Sequence, residues 1–117
     1  MRYQSDELTI DSLPEEGKLV VRWLGRSDGT DPSGTFRPLL EALSADVSKA
    51  QSVEFDFRSL EYMNSSSIRP ILKLVQGASG SASSVRVVYD KNKTWQRLSF
   101  MAIGTALAGL NNVEVCA

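Results

Sequence analysis

Between Val53 and Val75 the hydrophobic period switches, and that switch limits what the chain can fold into more than any other feature. Val53, Phe55 and Phe57 alternate with Glu54, Asp56 and Arg58, the period-2 pattern of a strand with one apolar face. Ile68, Ile71, Leu72 and Val75 then recur at i, i+3, i+4, i+7, the stripe of a helix packed on a sheet. Between them lies Asn64-Ser65-Ser66-Ser67, without a bulky side chain. The pattern predicts a strand, a short loop, a serine cluster and a helix, with a hydroxyl on the rim of the sheet at a helix N-terminus. The first N–H groups of a helix lack partners within it, and the macrodipole makes that end positive. Serine caps such donors, and a phosphate placed on the same hydroxyl is held by them. Ser65 or Ser66 therefore reads as a cap, as a phosphoacceptor, or as both.

The rest of the chain supplies partners for this unit. Glu7–Leu13 reads as a first strand through Leu8 and Ile10, and Pro14–Gly17 as a turn. Lys18–Gly25 is a second strand, whose nearly continuous apolar run indicates burial on both faces or a central position. The two form a hairpin. Arg26–Thr35 is polar and rich in turn residues. It lacks the Gly-Lys-Ser/Thr of a phosphate-binding loop and reads as a surface connection. Thr35 caps a first helix through Phe36, Leu39, Leu40, Leu43 and Val47, with Pro38 in its first turn, fading near Ser48–Ala50. The third strand covers about Ser52–Phe57, and the second helix ends near Gly77. Ala78–Ser84 is expected to be an exposed loop. Val85–Tyr89 is a strand, and Thr94 caps a third helix with Trp95, Leu98, Met101, Ala102 and Thr105 on one side. Val113–Val115 is a short last strand at an edge. The order β-β-α-β-α-β-α-β implies parallel crossovers plus one hairpin. The expected fold is α/β: a four- to five-stranded mixed sheet packed by two to three main helices, in a single domain over residues 1–117.

Composition removes several function classes. Histidine is absent, which excludes Ser-His-Asp and Cys-His catalysis and every His-containing metal site. Cys116 is the only cysteine, so thiolate zinc sites and internal disulfides are excluded, and a reducing, cytoplasmic setting is expected. Glu54 and Asp56 share a strand face and are placed at the solvent or a rim, not in a catalytic pair. The 13 basic and 14 acidic side chains nearly balance, which argues against nucleic acid as a partner. Arg86, Lys91, Lys93 and Arg97 read as a solvated face. The polar start, Met1–Glu7, lacks the apolar run of a signal peptide, and no stretch is long and apolar enough to span a membrane. No metal, cofactor, catalytic residue or membrane contact is expected.

Leu60-Glu-Tyr-Met-Asn64-Ser65-Ser66-Ser67-Ile68, set in this element order, resembles the central motif of STAS domains, the sulphate transporter and anti-sigma factor antagonist fold. In bacterial anti-anti-sigma factors of this family a strand leads through Asp-Ser-Ser-Gly-Leu/Ile into a helix. Trp95–Met101 also resembles the family's later helix. Glu61-Tyr62-Met63-Asn64-Ser65-Ser66-Ser67 is similar to Glu-Tyr-Phe-Asn-Thr-Ser-Ser of small regulatory phosphoproteins, one of which controls a diguanylate cyclase. Asn64 stands where the first group has an aspartate and matches the second. The resemblance implies a non-enzymatic switch, a monomer or weak homodimer, phosphorylated on Ser65 (alternatively Ser66) by a serine/threonine kinase that can itself be the anti-sigma factor. A PP2C-type phosphatase reverses the modification. The implied partner-binding residues are Asn64, Ser65, Ser66, Ser67, Ile68 and Arg69, with Ser27 and Asp28 nearby. A non-phosphorylated scaffold of the same fold is the other implied role.

Overall fold

A computed structural model describes residues 2–5, 7–28, 34, 37–38, 41–42, 46–47 and 49–117. Its strands are β1 (Arg2–Ser5), β2 (Leu8–Glu15), β3 (Lys18–Ser27), β4 (Ser52–Asp56), β5 (Leu60–Met63), β6 (Ser84–Val88) and β7 (Val113–Cys116). A 3-10 turn at Ser65–Ser67 leads into α1 (Ile68–Ser81), and α2 is Thr94–Leu107. The described residues between 34 and 49 are helical, but most of the side chains that predicted the first helix, including Thr35, Phe36, Leu39, Leu40 and Leu43, lie outside the described residues.

All seven strands join one mixed sheet in the order β1-β2-β3-β4-β6-β7, with β5 also on β3. β1, β2 and β3 pair antiparallel; β3 with β4, β3 with β5, β4 with β6 and β6 with β7 pair parallel. The fold class is as expected, but the sheet has two more strands than the upper expected number. β1 comes from the polar start, and β5 from the segment read as a loop. β3 is central as its apolar run requires: Leu19, Val20, Val21 and Trp23 are all buried.

Val53, Phe55 and Phe57 face the core as the alternation predicted. Trp23 meets the Phe57 ring at 4.9 Å, Phe57 meets Phe100 at 4.9 Å, and Tyr89 stacks on Phe100 at 5.4 Å, so an aromatic chain ties the sheet to α2. The opposite face carries charges that alternate in register: Arg2 opposite Asp11, Asp11 opposite Arg22, Arg22 opposite Asp56. Cross-strand pairs of opposite sign stabilise such a face. Asp56 is not at a solvent rim as expected: only 3% of it is exposed, because Arg58 and Arg22 close over its carboxylate.

Two helix readings are corrected. α1 continues to Ser81, four residues past Gly77, since Ala78 packs into the core and Ala82, just beyond the helix, follows it. In α2 the core face is Gln96, Phe100, Ile103 and Leu107, whereas Leu98 and Met101 face water. Lys93, not Thr94, occupies the N-cap position.

Candidate functional site

The serine turn is positioned by a change of partner along β3. β3 pairs with β4 through Arg22, then with β5 from Gly25 to Ser27, and the register shifts between Gly25 and Arg26. Gly25 makes the shift with φ +87, and the carbonyl of Glu7 occupies the space a Cβ would need; only glycine fits both conditions. The same carbonyl accepts the Arg26 N–H at 3.1 Å. The bent end of β3 thereby reaches β5, and the Asn64 N–H donates to Ser27 O at 2.9 Å as the last rung.

The chain then closes into the Ser65–Ser67 turn, with Ser67 N–H donating to Asn64 O at 3.1 Å. Ser67 is fully buried and Ser27 almost so. Ser67 Oγ lies 2.8 Å from Asn64 Oδ1 and 3.2 Å from Ser27 O. Ser27 Oγ is 2.9 Å away. A hydroxyl has one proton and two lone pairs. The assignment that serves every group has Ser27 donating to Ser67 and Ser67 donating to Asn64. This buried network forms the floor of the turn, and Ser65 and Ser66 stand exposed above it.

No side chain caps either the turn or α1, contrary to the capping expectation. Asn64 Oδ1 is taken by the Ser67 hydroxyl, and Ser67 itself has helical angles (φ −79, ψ −19) rather than the extended geometry of a cap. Of the residues predicted to meet a partner, Ser65, Ser66, Arg69 and Asp28 are exposed, and Asn64 and Ile68 are partly so. Ser67 and Ser27 are corrected: each is buried and bonded to the other, so their hydroxyls hold the turn and do not face a visitor. Beyond Asp28, residues 29–33 and Thr35 of the predicted neighbouring loop lie outside the described residues.

Further side chains brace the fold around the turn and beyond it. Arg26 lies over the Tyr62 ring, 4.8 Å from its centroid, and pairs with Asp28 at 3.3 Å. Tyr62 meets Trp95 at 6.2 Å. Gln96, buried in the first turn of α2, donates through Nε2 to Phe57 O at 2.7 Å and Leu60 O at 2.9 Å. Its Oε1 accepts the Asp90 N–H at 2.8 Å. One amide thus fixes the 57–60 link between β4 and β5. A polar residue in phase with the apolar Phe100, Ile103 and Leu107 was the available signal. Lys93 Nζ adds a bond to Arg58 O at 2.7 Å, and Arg86 donates to Cys116 Sγ at 3.2 Å. Lys93 and Arg86 are therefore engaged by separate parts of the fold.

Resolved electrostatic shifts lie on the outer sheet face. Burial pushes the Asp56 carboxyl upward, but hydrogen bonds from the Arg58 side chain and backbone, with the charges of Arg58 and Arg22, overcome it and hold the group below the usual range. Asp11 is held down by its hydrogen bond from Arg2. Among the described residues, no group of three or more Cys, Asp or Glu side chains is arranged to hold a metal, and no helix is long and apolar enough to cross a membrane.

No family model matches the sequence, and no curated protein is significantly similar to it. Solved structures are similar in fold. An anti-sigma factor antagonist from Mycobacterium paratuberculosis shares 15% identity over 89% of this chain and 86% of its own, with a TM-score of 0.66. A chain in the complex of the diguanylate cyclase SiaD with its activator SiaC from Pseudomonas aeruginosa shares 19% identity over 100% of this chain and 98% of its own, with a TM-score of 0.65. The anti-sigma factor antagonist SpoIIAA in its unphosphorylated form shares 16% identity over 94% and 88%, with a TM-score of 0.51. The chain has the STAS-like, or SpoIIAA-like, α/β fold.

Proposed function

We propose that this protein is a non-enzymatic regulator of the anti-sigma factor antagonist type, which binds a partner protein according to the phosphorylation of Ser65, with Ser66 as the alternative acceptor. The observation that carries this reading is the exposed Ser65–Ser66 pair on a turn whose third serine is locked into a buried floor. A rigid floor presents the hydroxyl in one geometry, as a kinase that aligns its own catalytic groups on an acceptor requires. A phosphate adds about −1.5 to −2 charge. Desolvating it in an interface costs several kcal/mol, enough to release one partner in favour of another. The partners this reading implies are a serine/threonine kinase or anti-sigma factor and a PP2C-type phosphatase.

The second reading, activation of a diguanylate cyclase, is favoured by Asn64 together with full-length likeness to a chain of the SiaD–SiaC complex. The two readings share Ser65 and differ in what is bound. The test is incubation of the purified chain with ATP and extract of its own cells, read by intact mass, then pull-down of the modified and unmodified forms. One added phosphate, lost in Ser65→Ala, with a different captured protein for each form, supports the reading. An unchanged phosphate and unchanged capture in Ser65→Ala, with Ser66→Ala equally silent, overturns it.

A further inference from the structure

Helices α1 and α2 contain Arg69, Lys73 and Arg97 and no aspartate or glutamate, in a chain with 14 acidic side chains. The paired carboxylates lie off the two helices: Asp11 with Arg2, Glu54 with Lys18 and Asp56 with Arg22 and Arg58 on the sheet, and Glu7 and Asp28 with Arg26 at its edge. All three helical cations are exposed, and none is in an ion pair with a described residue. The helices also carry an uncovered apolar ridge. With Phe100, Ile103 and Leu107 in the core, the helical period puts Leu98 and Met101 on the opposite side, each 61% exposed. The outer face of a surface helix is ordinarily polar. The ridge continues through half-buried Trp95 to Tyr62, three residues before Ser65.

We propose that this ridge, together with the exposed cations of the two helices, which contact one another, forms the docking surface for an acidic amphipathic helix of a partner protein, its apolar stripe on Leu98 and Met101 and its carboxylates toward Arg69, Lys73 and Arg97. The proposal rests on the regulatory reading above and names the chemistry of the partner. Charge selects this occupant. A second copy of the chain brings cations against cations. Attraction to an anionic membrane draws on clusters of about four to eight basic residues, and these three are divided between two helices. A helix in a groove uses this combination of apolar anchors and bordering charge. A phosphate on Ser65 stands one helical turn before Arg69 and competes for it, which links the modification to the docking face.

The test titrates the intact, unmodified chain with a blocked helical peptide of about 18 residues, leucine along one face and glutamate along the other. A control peptide has lysine for glutamate. Trp23 is fully buried, so fluorescence changes on binding report Trp95. The glutamate peptide is expected to saturate and the lysine peptide not to bind. Leu98→Ser/Met101→Ser and, separately, Arg69→Gln/Lys73→Gln/Arg97→Gln are expected to weaken binding about tenfold each, with melting temperatures near that of the parent. Absent binding, equal binding of both peptides, or an unaffected ridge variant overturns the proposal. So does a ridge-dependent dimer in sedimentation or ridge-dependent cosedimentation with phosphatidylserine vesicles. No kinase is needed, so failure here leaves Ser65 phosphorylation standing, and an unphosphorylated Ser65 leaves this result standing.

Discussion

Ser67 Oγ lies 2.9 Å from Ser27 Oγ, across 40 residues of sequence, with Ser67 fully buried and Ser27 nearly so. The bond joins the end of β3 to the turn that displays Ser65, so the outermost hydroxyls rest on an inner pair. Ser67→Ala leaves Ser27 Oγ and Asn64 Oδ1 without this partner and is expected to cost about 1–3 kcal/mol. Ser65→Ala, at an exposed site, is expected to stay within about 0.5 kcal/mol of the parent. Urea unfolding of both variants checks this; equal losses would remove the floor from the account.

Gln96 makes a larger claim on stability. Gln96→Ala takes the donor from Phe57 O and Leu60 O, takes the acceptor from Asp90 N–H, and leaves a void. The expected loss is about 3 kcal/mol or more. Gln96→Glu keeps the shape but, when ionised, sets a carboxylate against two carbonyl oxygens. Its folded pKa is then raised, so its stability relative to the parent is best at low pH. That stability declines as pH rises above the unfolded glutamate value of about 4.3. A urea series at several pH values measures both effects.

Acid should weaken the fold through Asp56. Its folded pKa is depressed by Arg58 and Arg22 despite burial, so as pH falls the unfolded chain takes up the proton first, near pH 3.9. The stability this carboxylate contributes is complete well above that value and is lost as pH drops through the folded value. Asp11 acts in the same direction, more weakly, because its partner Arg2 is 64% exposed and screened by water. Asp56→Asn is expected to flatten the dependence of unfolding midpoint on pH between about 2.5 and 5. An unchanged slope would mean that other carboxylates carry it.

Gly25 is expected to tolerate no side chain. Gly25→Ala must hold φ +87 and displace the Glu7 carbonyl, with a loss of about 2 kcal/mol or more. Because the bend brings β3 to β5, amide exchange in Tyr62–Asn64 should quicken more than in β4. Uniform acceleration across the sheet would show that the bend serves the whole fold and not the turn.

What could be read from the sequence follows from where a single period decides the structure. The alternation at Val53–Phe57 has only one apolar face, so the strand and its inward residues were legible, as was the hairpin around Gly17. α2 offers two apolar stripes on opposite sides, and periodicity cannot choose between Leu98–Met101 and Phe100–Ile103–Leu107. The choice follows from the carbonyls of Phe57 and Leu60, which Gln96 bonds from the buried side of the helix. β5 escaped notice because two exposed residues, Glu61 and Tyr62, interrupt its pattern and its partner lies beyond a bulge. Asp56 was placed in solvent because alternation puts it on the face away from the core; alternation does not show that Arg58, two residues on, folds back over it and is joined by Arg22 from the neighbouring strand. The serine turn was located correctly, but its internal division into two displayed hydroxyls and one sequestered hydroxyl depends on Ser27.

Arg69, Lys73 and Arg97 are the only ionisable side chains of α1 and α2, and all three carry the same sign. The pull of exposed charges fades over roughly 8 Å at physiological ionic strength. The grip of that surface on an acidic visitor is therefore set by the salt around it as well as by its shape, and a covalent mark on a neighbouring serine acts on the same balance.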